Sequence, residues 1–566
     1  MSAEGDTRAA AGPVPGAGRA HDARDGGRAH GVRERGSFFD AVGGWASAVR
    51  LGVSHWCAPA WGTIGLAAGF FALTCWWLTQ DRSIPVYDAG EHLSAAIIFH
   101  DMIRSGNLLG PFNYTWQYPP LGELVGSFSA FVGGVSASSP IVGENLVFVS
   151  LLTLGCYQTG KLLFTPAAGL LAAAFVLGSP LLIAQFHVFM LDAPETAMVA
   201  VSMWLLLASR RFSRVGMSAL AGLAVGAGLL VKVQYPFFVV GIVLCALLLG
   251  GWHNRRGFLT FALVAVAVGS PWYIDHLSEL STIARLAGAE SGAAPENLPP
   301  TVSIHNLTWY LWSILDSQLL LPLFVLLAGG FLWTAITLAR SHGDRLGERR
   351  EFLVGGVVAW LAITLTTHHD VRYGMPLLPY LAVMATGWIV HIPVTARRIA
   401  VGVLVVGVTL NTLGTTFGVS GEADVTVARS VSSTYVLPTS IVLYSNDGFL
   451  VAGPKRDGDV PGLLQALERN GVSTVELSLR QSTGPDFSYQ GVRALALVAR
   501  MATVINQGLQ FSESSSVATL VHKPVSPSEP PPCARLSDGT GVFVVRTNPA
   551  TGYRSLYCPG RNPAYY

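Results

Sequence analysis

Apolar runs of roughly membrane-crossing length, about 20 residues each, recur along most of the chain. They fall near 61–79, 144–164, 166–185, 193–209, 215–231, 234–251, 257–273, 319–339, 353–367, 374–392 and 399–417. A twelfth candidate, 118–138, is rich in Gly and Ser and carries Glu123. Whether it crosses sets the orientation of everything after it, and the basic residues decide the matter, because they concentrate on the cytosolic side. With a cytosolic N-terminus and 118–138 lying along or dipping into the outer face, the cytosolic loops hold Lys161, Arg210, Arg211, Arg214, Arg255, Arg256, Arg340, Arg345, Arg349, Arg350, Arg397 and Arg398. The opposite face then holds only Arg82, Arg104, Lys232, Arg285 and Arg372. A crossing at 118–138 would turn the larger set outward. The pattern predicts eleven spans plus one interfacial or re-entrant helix.

Composition agrees. Of 566 residues 51% are hydrophobic and 12% charged, against about 25% charged in an ordinary soluble domain, and the mean hydropathy is +0.46. This is a polytopic α-helical membrane protein. A net charge of +2 gives no argument for a nucleic-acid partner. Residues 1–55 read as a disordered cytosolic tail, 56–417 as the membrane domain, and 418–566 as a separate extracytoplasmic α/β domain. In that last part the strand-like runs are Ser440–Tyr444, Val472–Leu477, Ser516–Val521 and Gly541–Arg546, with helical patterns at Gly462–Glu468 and Gly491–Ile505. It carries no catalytic motif, so accessory packing or acceptor binding is its expected role. Cys533 and Cys558 lie there, and would pair in an oxidising compartment. Cys57, Cys75, Cys156 and Cys245, in or beside apolar runs, read as small buried hydrophobes.

The same parity gathers Asp88, Glu91, His92, His187, Asp192, Glu195, Lys232, His368, His369, Asp370 and Arg372 on the outer face. Ionisable groups near hydrocarbon are costly and need a functional reason. Three motifs stand out: Tyr87-Asp88-Ala89-Gly90-Glu91-His92 followed by Tyr118-Pro119-Pro120-Leu121, then Leu191-Asp192-Ala193-Pro194-Glu195-Thr196, then Asp370-Val371-Arg372-Tyr373-Gly374-Met375-Pro376-Leu377-Leu378-Pro379.

In order and common face these motifs resemble those of the GT-C membrane glycosyltransferases of the dolichyl-phosphate-mannose protein mannosyltransferase type, related to the lipid A aminoarabinose transferases. The resemblance covers roughly residues 60–417. It implies transfer of a sugar from a polyprenyl-phosphate donor to a lipid, glycan or protein hydroxyl at the outer face of a bacterial cytoplasmic (plasma) membrane. In this chain Asp88 is followed by Ala-Gly-Glu, where relatives often place Glu directly after Asp, so Asp88 and Glu91 share the candidacy for the acidic role.

Such chemistry needs a base for the acceptor hydroxyl and cations for the departing phosphate. Asp88 is the expected base, with helix N-capping as its alternative. Asp192 is a second catalytic candidate, also open to a capping role beside Pro194. Lys232 and Arg372 with Tyr373 are expected to hold the donor phosphate, Arg372 by its planar fork, whereas Lys232 has snorkelling as its alternative. His92, Tyr118, His187 and Asp370 are expected to orient the acceptor. No cofactor is implied beyond a divalent cation at Glu91 and His92, which by themselves make no ligand set. Asn113-Tyr114-Thr115 and Asn306-Leu307-Thr308 match the glycosylation sequon and read as chance matches. Trp309, Tyr310 and Trp312 read as an interfacial aromatic element. Rival readings are a transporter or flippase of lipid-linked sugars, which would favour internal repeats and mid-membrane charges, and a non-catalytic membrane assembly protein.

Overall fold

The computed structural model describes residues 38–85, 87–114, 117–280, 302–340, 347–366, 369–390 and 392–418. Beyond 418 it describes 425–429, 440–444, 454, 459–478, 488–506, 516–526, 531–536, 540–547, 554–556 and 558. Two compact units, Met1–His55 and Trp56–Tyr566, divide the chain. In the first, residues 38–55 are helical; the second holds everything that follows.

The helices, in order, are α1, with its apolar span at Ala58–Gln80, α2 (Asp88–Arg104), α3 (Gly110–Tyr114), α4 (Leu121–Gly133), α5 (Ser138–Leu163), α6 (Pro166–Leu177), α7 (Pro180–His187) and α8 (Asp192–Ala208). There follow α9 (Val215–Leu229), α10 (Pro236–Leu248), α11 (Arg255–Asp275), α12 (Ile304–Ser313), α13 (Leu320–Arg340) and α14 (Gly347–Thr364). A 3-10 segment, Val371–Leu377, runs into α15 (Leu378–Thr386), and α16 (Val394–Phe417) closes the membrane domain. Among the described residues, each apolar run falls mainly on one of these helices or on a pair of them, except 374–392, which combines α15 with 3-10 turns on either side. Among the described residues five stretches are long and apolar enough to cross a membrane: Ala58–Gln80, Ser138–Leu163, Arg255–Asp275, Asn306–Arg340 and Val394–Phe417. The pair α6 and α7, bent by 65°, makes a sixth. The bend lies at Gly178-Ser179-Pro180, where Ser179 caps α7 and Pro180 opens it. Helices α4, α9 and α10 are shorter apolar helices of 13, 15 and 13 residues.

Small residues let the inner helices approach. A Cβ on Gly155 would lie 2.5 Å from the backbone of Ala200, so α5 and α8 pack backbone to backbone. Two hydroxyls inside apolar runs find partners in neighbouring helices: Tyr235 and Ser202 share a hydrogen bond of 2.6 Å, and the Tyr380 hydroxyl donates to the Phe238 carbonyl at 2.8 Å. The α5 span is 61% buried, whereas those on α1, α11, α13 and α16 are 22–33% buried. The latter therefore form the apolar rim, with α5 inside.

Beyond the membrane domain, β1 (Val425–Arg429) and β2 (Ser440–Tyr444) pair antiparallel. The remaining strands are β3 (Thr474–Ser478), β4 (Ala502–Asn506), β5 (Val517–Pro524), β6 (Ala534–Arg535), β7 (Thr540–Thr547) and β8 (Arg554–Leu556). They form one sheet in the order β4-β3-β5-β7-β6, with β8 on β7. Strand β3 is parallel to both β4 and β5, and β5 meets β7 antiparallel. Helix α17 (Val460–Arg469) buries Val460, Leu463, Leu464 and Leu467, the spacing of one helical face. The stretch Gly491–Ile505, expected as one helix, is helix α18 (Tyr489–Val498) followed by strand β4. Arg500 turns the chain at φ 59, and the β-branched Thr503, Val504 and Ile505 suit a pleated neighbour of β3. Cys533 and Cys558 form a disulfide.

Candidate active site

Helix α8 runs about 25 Å from Asp192 to Ala208, and the two ends of the molecule differ in character. At the Asp192 end four loops converge: the one opening α2, the Pro119-Pro120 turn, the link between α9 and α10, and the segment after α14.

Lys232 comes from the link. Gly228 permits the tight turn there, because the Tyr235 ring occupies the space a Cβ would need. The Lys232 ammonium donates to Asp192 Oδ1 at 2.5 Å, lies 4.0 Å from Glu195 Oε2 and sits 4.7 Å from the centre of the Tyr373 ring. Its side chain is 9% exposed and that of Asp192 3%, so this ammonium does not reach out to solvent. Burial alone would lower the Lys232 pKa, but Asp192, Glu195 and Tyr373 raise it above its ordinary value, and the group stays charged.

Arg372 comes from the 3-10 segment. Asp370 caps that segment by accepting from the Arg372 backbone N–H at 2.9 Å. Its Oδ2 also accepts from Arg372 Nε at 3.1 Å and Nη2 at 2.9 Å, which fixes the plane of the guanidinium. The remaining nitrogen, Nη1, donates to Asp88 Oδ2 at 3.2 Å. Burial again acts to lower the pKa, while Asp192, Asp370 and Asp88 raise it. The Asp88 side chain is 45% exposed. The rings of Tyr373 and Tyr118 complete the cluster. The Tyr118 hydroxyl is pushed above its usual pKa by burial and then by Asp88, and it also feels Lys232, Tyr373 and Asp192.

Neither acidic residue caps its helix. Tyr87, at φ 41 and ψ −113, precedes α2, and Asp88 is the first helical residue. Leu191 precedes α8 in the same way. The carboxylates that the sequence allowed as caps are therefore engaged by Arg372 and Lys232. Snorkelling of Lys232 is excluded by its burial.

The structure places the other expected residues outside this cluster or at its edge. Glu91 is exposed and takes part in no ion pair among the described residues. His92 pairs with Glu123 instead, Nδ1 to Oε1 at 2.8 Å, both side chains buried. The suggested cation site at Glu91 and His92 is thus not assembled, and among the described residues no three His, Cys, Asp or Glu side chains group for a metal ion. The His92 ring meets Tyr118 edge-on at 4.8 Å, so it touches the cluster from behind. His187 stacks on Trp77 at 4.4 Å and lines a different cleft with Asp81, Arg82 and Ser83; it does not join the acids. Trp309 and Tyr310 are buried, not interfacial, and pack against His369 at 5.1 and 5.5 Å. They brace the segment that carries Arg372, helped by Gln318, which donates to the Val371 carbonyl at 3.0 Å. Asn306 is buried and donates to the Thr364 carbonyl at 2.7 Å, which removes it as a glycosylation acceptor. His368 lies outside the described residues.

Two carboxylates near the site went unassigned in the sequence. Glu195 is one helical turn from Asp192 on the same face. Glu144 is fully buried on α5, and its oxygens find no hydrogen-bond partner among the described residues. A glutamate inside an apolar run was the available signal for Glu144.

Comparison with known proteins identifies the architecture. The family model for dolichyl-phosphate-mannose-protein mannosyltransferase matches residues 117–274. Among solved structures, apo ArnT from Cupriavidus metallidurans aligns over 82% of this chain and 93% of its own, with TM-score 0.50 and 14% identity. The fold is GT-C. The undecaprenyl phosphate-bound structure of the same protein aligns over 81% of this chain and 92% of its own at TM-score 0.47 and 14% identity. The Archaeoglobus fulgidus oligosaccharyltransferase with Zn and sulfate aligns over 78% and 62% at TM-score 0.43 and 11% identity. No curated protein matches the sequence. The segment matched by the family model runs from the Tyr118 turn through Asp192 and Lys232, and Asp88 and Arg372, which pair with each other at 3.2 Å, lie outside it on either side.

Proposed function

We propose that the protein is a glycosyltransferase that moves a sugar from a polyprenyl-phosphate donor to an acceptor hydroxyl at the outer face of a bacterial cytoplasmic membrane. The observation that carries this reading is the meeting of two buried or half-buried cations, Lys232 and Arg372, around the Tyr373 ring and beside the Asp88 carboxylate. Two fixed cations at one point suit a phosphate. A half-exposed carboxylate within reach of the same point suits a base. The family model matched by residues 117–274 supports the class of donor.

In this reading the acceptor oxygen attacks C1 of the sugar, the C1–O bond to the phosphate breaks, and polyprenyl phosphate leaves. Asp370 holds the guanidinium plane of Arg372, and Nη1 exchanges its contact with Asp88 for one with a phosphate oxygen. Asp88, freed of that contact, takes the acceptor proton. Lys232 steadies the growing charge on the leaving phosphate, and Asp192 with Glu195 keeps the ammonium in place. A polyprenyl carrier follows from the side of the membrane, since nucleotide sugars are cytosolic. That placement rests on the distribution of basic residues: eleven crossings, α4 at the outer face, and residues 418–566 outside the cytosol.

Purified full-length protein, incubated with a panel of polyprenyl-phosphate sugars and a lipid and glycan extract of its native envelope, tests the proposal. Consumption of one donor with release of polyprenyl phosphate is expected. If no donor on the panel is consumed while the protein remains folded, the reading is wrong.

A further inference from the structure

The Asp88 loop is held by a residue some 400 positions away. The Ser488 hydroxyl donates to the Pro85 carbonyl at 3.0 Å and accepts from the Tyr87 backbone N–H at 3.3 Å. It also accepts from the Gly491 N–H at 3.1 Å, capping α18. One oxygen thus ties the chain on both sides of residue 86 to the start of a helix in the soluble domain.

The tie falls where the backbone most needs holding. Tyr87 is a non-glycine residue at φ 41, a conformation that persists only when its surroundings enforce it. Asp88 follows directly, so the Tyr87 dihedrals aim the first turn of α2 and the carboxylate on it. The contact is close because two glycines face each other across it. A Cβ on Gly90 would lie 2.5 Å from the Gln490 carbonyl carbon, and one on Gly491 would overlap the Pro85 carbonyl oxygen. Farther along, Arg493 Nη2 on α18 donates to the Tyr114 hydroxyl on α3 at 3.1 Å, and Arg500, just past the end of α18, pairs through Nη1 with Asp101 Oδ2 on α2 at 2.8 Å. These contacts set the rotation of α18 on α2, and Ser488 converts it into a position for Asp88.

We propose that Ser488 is a positioning residue for the reaction, and that the soluble domain aims the base through it. The inference rests on the reading of Asp88 given above. Displacement of a reacting group by about 1 Å costs up to roughly 100-fold in rate, so removal of a single tie should cost about 10-fold.

The test uses Ser488→Gly in the full-length protein. Gly caps helices nearly as well as Ser, so α18 keeps its start while the hydroxyl to residues 85–87 is lost. Expected are a kcat about 10-fold lower, an unchanged KM for the polyprenyl-phosphate donor, and recovery in Ser488→Thr, which restores a hydroxyl. In the Asp88→Asn background, Ser488→Gly should cost nothing further, because the aimed group is already gone. Ser488→Ala should behave like Ser488→Gly, and serves if the glycine variant fails to insert. Normal kcat in both Ser488 variants while Asp88→Asn is inactive overturns the positioning role and leaves the base intact. Equal losses from Ser488→Gly with and without Asp88 would assign Ser488 to general stability, against the proposal. Normal transfer by Asp88→Asn would instead overturn the reading of Asp88 itself.

Discussion

Both ends of α8 carry ion pairs, and they differ in what the cations do. At the far end, beyond Ala208, Arg211 pairs with the buried Glu351, Nε to Oε1 at 2.6 Å, and donates to the Leu249 carbonyl at 3.2 Å. Nearby, Arg349 Nε donates to the Leu163 carbonyl at 2.7 Å and Arg350 Nη2 to that of Leu338 at 3.0 Å. These cations satisfy helix-terminal carbonyls, which lack partners in the helix itself. At the Asp192 end the cations face one another across Tyr373, and their counter-charges come from three separate segments: Asp192 and Glu195 from α8, Asp370 from the start of the 3-10 segment and Asp88 from α2. Burial of an ion pair is thus no mark of function. Convergence of like charges from distant loops is.

Substitutions should separate the two ends. The largest effect is expected at Asp88: Asp88→Asn keeps the shape but cannot take a proton, and turnover should fall roughly 100-fold or more with donor binding retained. A steady-state assay with Glu91→Gln as companion checks this, and an inactive Glu91→Gln beside an active Asp88→Asn would move the base one helical turn along. Next in size, Lys232→Gln should weaken donor use by roughly 10–100-fold, the equivalent of one hydrogen bond to a charged group, as read from kcat/KM. At the far end Arg211→Met should leave turnover per folded molecule unchanged. It should lower stability by about 1–3 kcal/mol, the cost of a buried acceptor without its partner, as measured by thermal unfolding in detergent.

The smallest perturbation concerns the side of each end. Single cysteines near Ser213 and Gly347 should resist an impermeant thiol reagent in intact cells, while those near Ser291 and Ser432 should react. Labelling at Gly347 would invert the two ends.

What the sequence disclosed of this contrast follows from physical cost. Lys232 and Arg372 were legible because a charge beside an apolar run is expensive, and Asp88 and Asp192 because they sit where such runs begin. Their mutual pairing was not legible, since it depends on loops 40 and 284 residues apart meeting in space. The one-residue difference between capping a helix and opening it, at Tyr87 and Leu191, also lies below what pattern resolves. Ser488 carried no signal: a serine in a polar stretch looks ordinary until Tyr87 is found against it. The break between α18 and β4 was hidden because Val492, Leu495, Ala496 and Ala499 set up a helical period that the following residues happen to continue.

The cations at the Asp192 end are expected to hold a phosphate, and those at the far end are not. Binding of a polyprenyl phosphate to purified protein, compared among the wild type, the double variant Lys232→Gln with Arg372→Gln, and Arg349→Gln, tests it most directly. The double variant should lose binding by roughly 100-fold or more, and Arg349→Gln should bind as the wild type does. Equal binding by all three would contradict it.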